Sequence, residues 1–323
     1  MAKMSVLFLA GLLRYGFRFM LKQYLLKDGH LQECDDQPGN ILVFVTPDDA
    51  ERKLLLGTYK LDEHTLNSAL DPDEVSRLEF EDDHVAMIFK RPKNYSSRDQ
   101  YLFKVGSVGV FLFEERLIVL LSDDIQLFNG KLFNRVNSLL DLTLRVLYRT
   151  IQHYVEHLKV INMIADSLEQ KISTAMENKY LLNLFTLEKS LVYYLSAINA
   201  NASLIDRCKH NAVKLKMTEA DVELLEDILI ENNQCYRLAD IYSTILGGMM
   251  DARVSIVNNN LNVLMKTLNI ITIGIMVPTF VVSAFSMNVQ HPLAFWAIAG
   301  MALASVVIFI LIWRHKVGSR TVD

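Results

Sequence analysis

An apolar run of 18 residues, Leu268 to Phe285, carries polar side chains that all fall on one helical line. Alternating steps of four and three residues from Asp251 reach Ser255, Asn258, Asn262, Met265, Asn269, Thr272, Met276, Thr279, Ser283 and Ser286. No branched aliphatic or aromatic residue stands on that line. The positions off it are mostly Leu, Ile, Val and Phe. Steps averaging about 3.5 residues keep one face turned towards a common axis when helices supercoil left-handedly. A polar seam in a helix apolar enough to enter a bilayer is costly unless it faces protein or water. Two readings are open. The hydroxyls and amides join helices to one another, or they line a water-filled path. An unbroken seam favours the second reading. One helix encloses nothing, so that reading demands several copies of the chain.

A second apolar run, Leu293 to Trp313, has 21 residues, and both runs are long enough to span a bilayer. Only seven residues, Ser286 to Pro292, join them, which predicts a tight hairpin of two membrane helices. Lys266 precedes the first run, Arg314, Lys316 and Arg320 follow the second, and the joint has no Lys or Arg. The positive-inside rule then places both termini in the cytoplasm. Trp296 and Trp313 stand near opposite ends of the second run, as interfacial anchors do. Gly300 and Ala304 offer a small-residue patch for packing against the first run. Pro278 removes one backbone donor from the first run and is expected to bend it.

The rest of the chain divides by pattern. Residues 36–130 read as a cytosolic α/β domain. Ile41 to Thr46 is a buried strand stopped by Pro47. Asp48 and Asp49 can cap a helix with Glu51 in its first turn. Val85, Met87 and Phe89 alternate with Ala86, Ile88 and Lys90, and Val108 to Leu121 forms a hairpin through Glu114-Glu115. The segment Arg91 to Gln100 is polar and expected on the surface. Residues 131–217 read as a helical stalk, with helices over about 133–178 and 181–215. Thr218 with Asp221 makes a capping box. The helix it opens runs through 218–285 and includes the first span at about 268–285. At about 1.5 Å per residue it is ~100 Å long. Leu224, Ile228, Cys235, Leu238, Tyr242, Ile245, Met249, Ala252, Ile256 and Val263 form an apolar stripe beside the seam. Residues 286–292 are the outer loop, 293–313 the second span and 314–323 a cytosolic tail.

Residues 1–35 form a leader. Met1 to Met20 has a basic start and a short apolar core but no small-residue cleavage site. A start at Met20 fits better than export, and an interfacial amphipathic helix is the other reading. A net charge of −4 excludes a dominant basic field and with it nucleic acid as partner. Cys34, Cys208 and Cys235 are widely spaced and odd in number, which points to a reducing compartment rather than a disulfide framework. His153-Tyr-Val-Glu-His157 fits the H-x-x-E-H pattern of inverted zinc peptidases. It lacks a recognisable third ligand, on a helix expected to be a solvated stalk.

The line MVPTFVVSAFSMN, Met276 to Asn288, followed by a tight loop and a second span, resembles the carboxyl-terminal hairpin of the CorA divalent-metal transporter family. That family ends its first span in Tyr-Gly-Met-Asn, where this chain has Phe285, Ser286, Met287 and Asn288. The likeness extends through Asn258 to Lys266 and to SALDPDEVSRLEFEDDHVAMIFKRP, within Leu66 to Pro92. The resemblance implies an α+β membrane protein: a cytosolic α/β domain, a helical stalk or funnel and two carboxyl-terminal spans, assembled as a homopentamer in the inner or plasma membrane. It implies passive, potential-driven transport of divalent cations, closed when cytosolic divalent ions bridge acids between copies. Ser286, Met287 and Asn288 would form the selectivity filter, Asn262 the inner pore ring and Asp251 the acidic entrance. Asp227 matches a regulatory acid of the long helix, with Asp99 its partner in the 91–100 loop. No cofactor is implied beyond the transported and regulatory ion, and the partners are the chain's own copies, lipid and divalent ions. Ser286 in place of Gly and a loop without acids leave Zn2+, Co2+ and Ni2+ beside Mg2+ as candidate ions. A membrane-tethered scaffold or metal sensor without flux is the alternative, and the seam argues against it.

Overall fold

The computed structural model of the chain describes residues 21–34, 39–96, 99–174, 178–286 and 295–318. The readings of residues 1–20 and of Met287 to Pro292 lie outside them. Residues up to Met250 form one compact unit and those from Asp251 a second.

The first unit is built on a seven-stranded sheet in the order β2-β1-β3-β7-β6-β5-β4. The strands are β1 (Leu21–Lys27), β2 (His30–Glu33), β3 (Ile41–Val45), β4 (Arg77–Phe80), β5 (His84–Pro92), β6 (Val105–Phe113) and β7 (Leu117–Leu121). Only β3 and β7 pair in parallel, Ile41 opposite Leu117 through Val45 opposite Leu121. These two strands read ILVFV and LIVLL and are buried along their whole length. A strand covered on both faces needs no polar alternation. On one face Leu42, Phe44, Ala86, Ile88, Phe111, Ile118 and Leu120 pack with Leu55 and Leu66. Those two leucines come from α1 (Asp49–Gly57) and α2 (Glu63–Leu70). Asp48 caps α1 in a reciprocal capping box with Glu51. On the other face Ile41, Val43, Met87, Phe89, Val110 and Val119 pack with a helical layer. That layer comprises α3 (Leu139–Thr174), α4 (Asn178–His210) and the first part of α5 (Glu219–Ser286).

Five expectations differ from the structure. The sheet begins at Leu21, ahead of the boundary at residue 36, because β1 and β2 form a hairpin with Lys27 opposite His30. Its two-residue turn is Asp28-Gly29, both with positive φ, 51° and 80°, which is the geometry that a tight hairpin turn requires. The segment Arg91 to Gln100 is not wholly on the surface. Arg91 and Pro92 complete β5 and are buried, with Pro92 opposite Val105. The α3 helix begins at Leu139 rather than near 133, where Ser138 Oγ accepts from Asp141 N at 3.0 Å and Asp141 accepts from Asn137 N at 2.8 Å. It is also no solvated stalk, since Leu147, Ile151, Tyr154, Leu158 and Ile161 are buried in the core.

The fifth concerns α5. Its box is reciprocal, Thr218 N donating to Asp221 at 2.9 Å and Asp221 N to Thr218 Oγ1 at 3.2 Å. Its buried stripe, however, is Leu225, Ile228, Asn232, Cys235, Ala239 and Leu246. Of the stripe read from apolarity, Ile228 and Cys235 are fully buried, Leu224, Leu238, Tyr242 and Met249 pack against the core while partly buried, and Ile245, Ile256 and Val263 are exposed. The small side chains of Asn232 and Ala239 face inward, and Asn232 donates from Nδ2 to the Ile198 carbonyl of α4 at 3.1 Å.

One polar contact ties α4 to the sheet. Strand β4 pairs with β5 only as far as Ile88. Beyond it, the buried Asn201 takes the place of a strand neighbour. Its Oδ1 accepts from Lys90 N at 2.8 Å and its Nδ2 donates to Lys90 O at 2.7 Å. Ser76 Oγ donates to the same Oδ1 at 2.9 Å.

Candidate functional site

The second unit consists of α5 from Asp251 onward and α6 (Phe295–Gly318). Among the described residues two helices are long and apolar enough to cross a membrane, Glu219–Ala284 through its apolar end and Trp296–Arg314. In α5 the partly buried residues of the span are Ile270, Gly274, Pro278 and Val281, and in α6 they include Ile298, Ala302, Ser305 and Phe309. Each set recurs at three or four residues, the spacing of one helix face. The two faces meet at Gly274, where a Cβ would come within 3.2 Å of the Phe309 ring. Gly274 therefore supplies the close approach expected of Gly300. A Cβ at Gly300 would meet nothing within 4 Å, and Ala304 is exposed.

Asp251, Ser255, Asn258, Asn262, Met265, Asn269, Thr272, Met276, Thr279 and Ser283 are all exposed on the chain. At about 100° per residue, the seam within the span lies roughly opposite the Gly274 face. The seam therefore does not join α5 to α6. Three of its hydroxyls are turned back on their own helix. Ser255 Oγ donates to Asp251 O at 3.1 Å, Thr272 Oγ1 to Leu268 O at 2.8 Å, and Thr279 Oγ1 to Ile275 O at 2.7 Å. Each hydroxyl has one hydrogen to donate, so the oxygen lone pairs remain as acceptors. Ser286 is the last residue of α5, and Met287 and Asn288 lie outside the described residues.

The two acids read as regulatory are placed differently. Asp227 is exposed on α5. Asp99 closes a turn: it accepts from Ser96 Oγ at 2.7 Å and Ser96 N at 2.9 Å, and Lys104 lies 3.7 Å away. The Ser96 hydroxyl first, then the Ser96 amide, holds its carboxyl below the usual range. Among the described residues no group of three or more His, Cys, Asp or Glu is arranged to hold a metal ion.

The same holds for the H-x-x-E-H segment. His157 is buried, and its ring is pushed down to about 4 by burial and then by His153. Glu156 pairs with Arg149 at 2.8 Å. The motif packs a core and holds a surface ion pair.

Sequence reasoning passed over Gly274, the one glycine of its span, and Phe309. A lone glycine in an otherwise bulky span is the signal that marks such an approach.

A profile of the family described as "CorA-like Mg2+ transporter protein" matches residues 36–315. The chain is 24% identical over 294 residues to the cobalt/magnesium transport protein CorA of Methanocaldococcus jannaschii, covering 84% of this chain and 88% of that one. In fold it is similar to the complete structure of the CorA magnesium transporter from the same organism. That match has a TM-score of 0.77 and 21% identity over 91% of this chain and 96% of the other. The full-length CmaX protein is similar at a TM-score of 0.68 and 13% identity, over 92% and 97%.

Proposed function

Since the chain belongs to the CorA-like Mg2+ transporter family, we propose that it carries divalent cations, Mg2+ first among them, passively through a pore enclosed by five of its own copies. Divalent-cation transport is the family's activity. The observation that supports this route is the seam on the side of α5 away from α6. With α6 behind it, that polar face is available to turn towards an axis shared by the copies.

Mg2+ sheds its water reluctantly. A neutral lining can hydrogen-bond to the hydrated ion without stripping it, and binds weakly enough to let it leave. Ser255, Thr272 and Thr279 have spent their hydrogens on carbonyls one turn back. What they offer is lone pairs, and the water around a cation presents O–H groups outward. Asn258, Asn262 and Asn269 add amide oxygens, and Met265 and Met276 are apolar collars able to gate by excluding water. Asp251 would gather cations at the inner mouth, and Ser286, Met287 and Asn288 would select them at the outer one. With both termini cytoplasmic, an inside-negative potential supplies about 2.3 kcal/mol per charge per 100 mV, so about 4.6 kcal/mol for a divalent ion. Closure by cytosolic divalent ions would use Asp227 and acids of a neighbouring copy. Asp99, engaged by Ser96 and Lys104, would have to be released to join them.

The test is uptake into liposomes holding the purified chain and a Mg2+-sensitive dye. Uptake is expected to rise with an imposed inside-negative potential and to fall tenfold or more in Asn288→Ala. Thr272→Val should lower it, and Thr272→Ser should not. Uptake indifferent to potential, or unchanged in Asn288→Ala, would sink this assignment of path and filter. No flux at all would leave the scaffold reading.

A further inference from the structure

A pocket of about 400 Å3 opens between α3, the strands β5 and β6, and the segment that follows β7. Its polar lining is rich in donors: Arg91, Arg149, His153, Asn94 and Gln126, with Asp124 the one acid among the described residues that line it. Arg91 is only 2% exposed. Its guanidinium donates to Asp123 at 2.6 Å and to the Pro92 carbonyl at 3.1 Å, and its Nε is buried without a partner. A guanidinium has five N–H groups, so Arg91 holds more donors than its neighbours accept. Arg149 donates to the two Glu156 oxygens at 2.8 and 3.4 Å, in a pair whose carboxylate is 54% exposed. Solvent screens such a pair, and a more highly charged anion in the pocket competes for the guanidinium. Asp124 is itself paired with Lys22 of β1. What enters the pocket therefore meets N–H groups on several sides and few acceptors.

The geometry points to a binding site for a small phosphate-bearing anion in this pocket, held by Arg91, Arg149 and His153. Guanidinium groups match phosphate oxygens with paired, charge-assisted hydrogen bonds. Val108, Leu127 and Val146 form the apolar part of its wall. His153 faces Arg91 of β5, Asp124 across the pocket, and Arg149, Glu156 and His157 of its own helix. Burial first, and then Arg149 and Arg91 against the opposing pull of Glu156, holds its ring below the ordinary value. An anion seated between the two arginines offsets their effect, so binding takes up a proton at His153. The site lies wholly in the first unit and does not depend on the transport reading.

Calorimetry on the full chain in detergent, free of divalent ions and at constant ionic strength in chloride, tests it with inorganic phosphate, pyrophosphate and ADP. Saturable binding of at least one is expected, weakened tenfold or more in Arg149→Gln. The heat should depend on the ionisation enthalpy of the buffer, which reports proton uptake by site and ligand together, and His153→Gln should lower that uptake by the share the ring takes up. Both residues are partly exposed, so both variants keep the fold. Pyrophosphate or phosphate binding as tightly as ADP identifies the free anion as ligand, and tighter ADP binding identifies a nucleotide's phosphates. No saturable binding of any of the three, or unchanged binding in both variants, overturns the proposal.

Discussion

At His157 the imidazole is buried, and its Nδ1 shares a hydrogen bond of 2.6 Å with the Tyr194 hydroxyl of α4. The ring stays neutral because burial, with His153 beside it, brings it down to about 4 from 6.5. Between those two values the unfolded chain holds more protons than the folded one. Stability is therefore full above about 6.5, falls as pH drops towards 4, and levels off below. Going from pH 7 to pH 5 should cost about 2 kcal/mol, read as a lower unfolding midpoint of the full chain. His157→Gln should lose most of that acid sensitivity, and an equal slope in the variant would show that other groups carry it. The residue scale is also where the sequence was hardest to read. His153 and His157 share a helix face by spacing, and spacing alone cannot say whether that face meets solvent, a metal or a core. Asp28-Gly29 was a legible hairpin turn, hidden by its nearness to an apolar leader.

Among the elements, the strands and caps were legible because their signals are local: Asp48 with Glu51, Thr218 with Asp221, and the alternation through β5 and β6. The register of α5 was legible only in part. Leu224, Leu238, Tyr242 and Met249 pack at the margin of the buried face, but Asn232 and Ala239 sit at its centre, and apolarity ranks them too low to be picked. What faces a partner helix depends on how closely the backbones approach, and small or amide side chains permit the approach. The same physics governs the hairpin. Gly274→Leu would drive a branched side chain into the Phe309 ring, and overpacking of this kind costs about 1–3 kcal/mol. Thermal unfolding in detergent should show the loss, and Phe309→Ala should restore part of it in the double variant. Additive losses would mean that the two residues do not meet.

For the whole molecule, one chain supplies a polar face and no enclosure. The seam was legible as a period, whereas its orientation relative to α6 needed coordinates. Cysteine placed along α5 separates the faces. Thr272→Cys and Asn269→Cys should react with a charged, membrane-impermeant thiol reagent and lose flux on reaction. Ile270→Cys and Val281→Cys, on the α6 side, should stay unreactive. Native Cys34, which is partly exposed, is replaced by serine in this background, and Cys208 and Cys235 are buried with their thiols pushed up to about 12. Equal reactivity on both faces would refute the inward seam. The amide of Asn201 has a consequence for biogenesis. It closes the edge of β5 from a position 111 residues further along the chain. During synthesis at about 5–20 residues per second, several seconds pass before that amide is made. Through that interval Lys90 presents an open strand edge, a template for pairing with another nascent chain. Completion of the sheet therefore waits on α4, and truncation before Asn201 should yield aggregates rather than a smaller soluble domain.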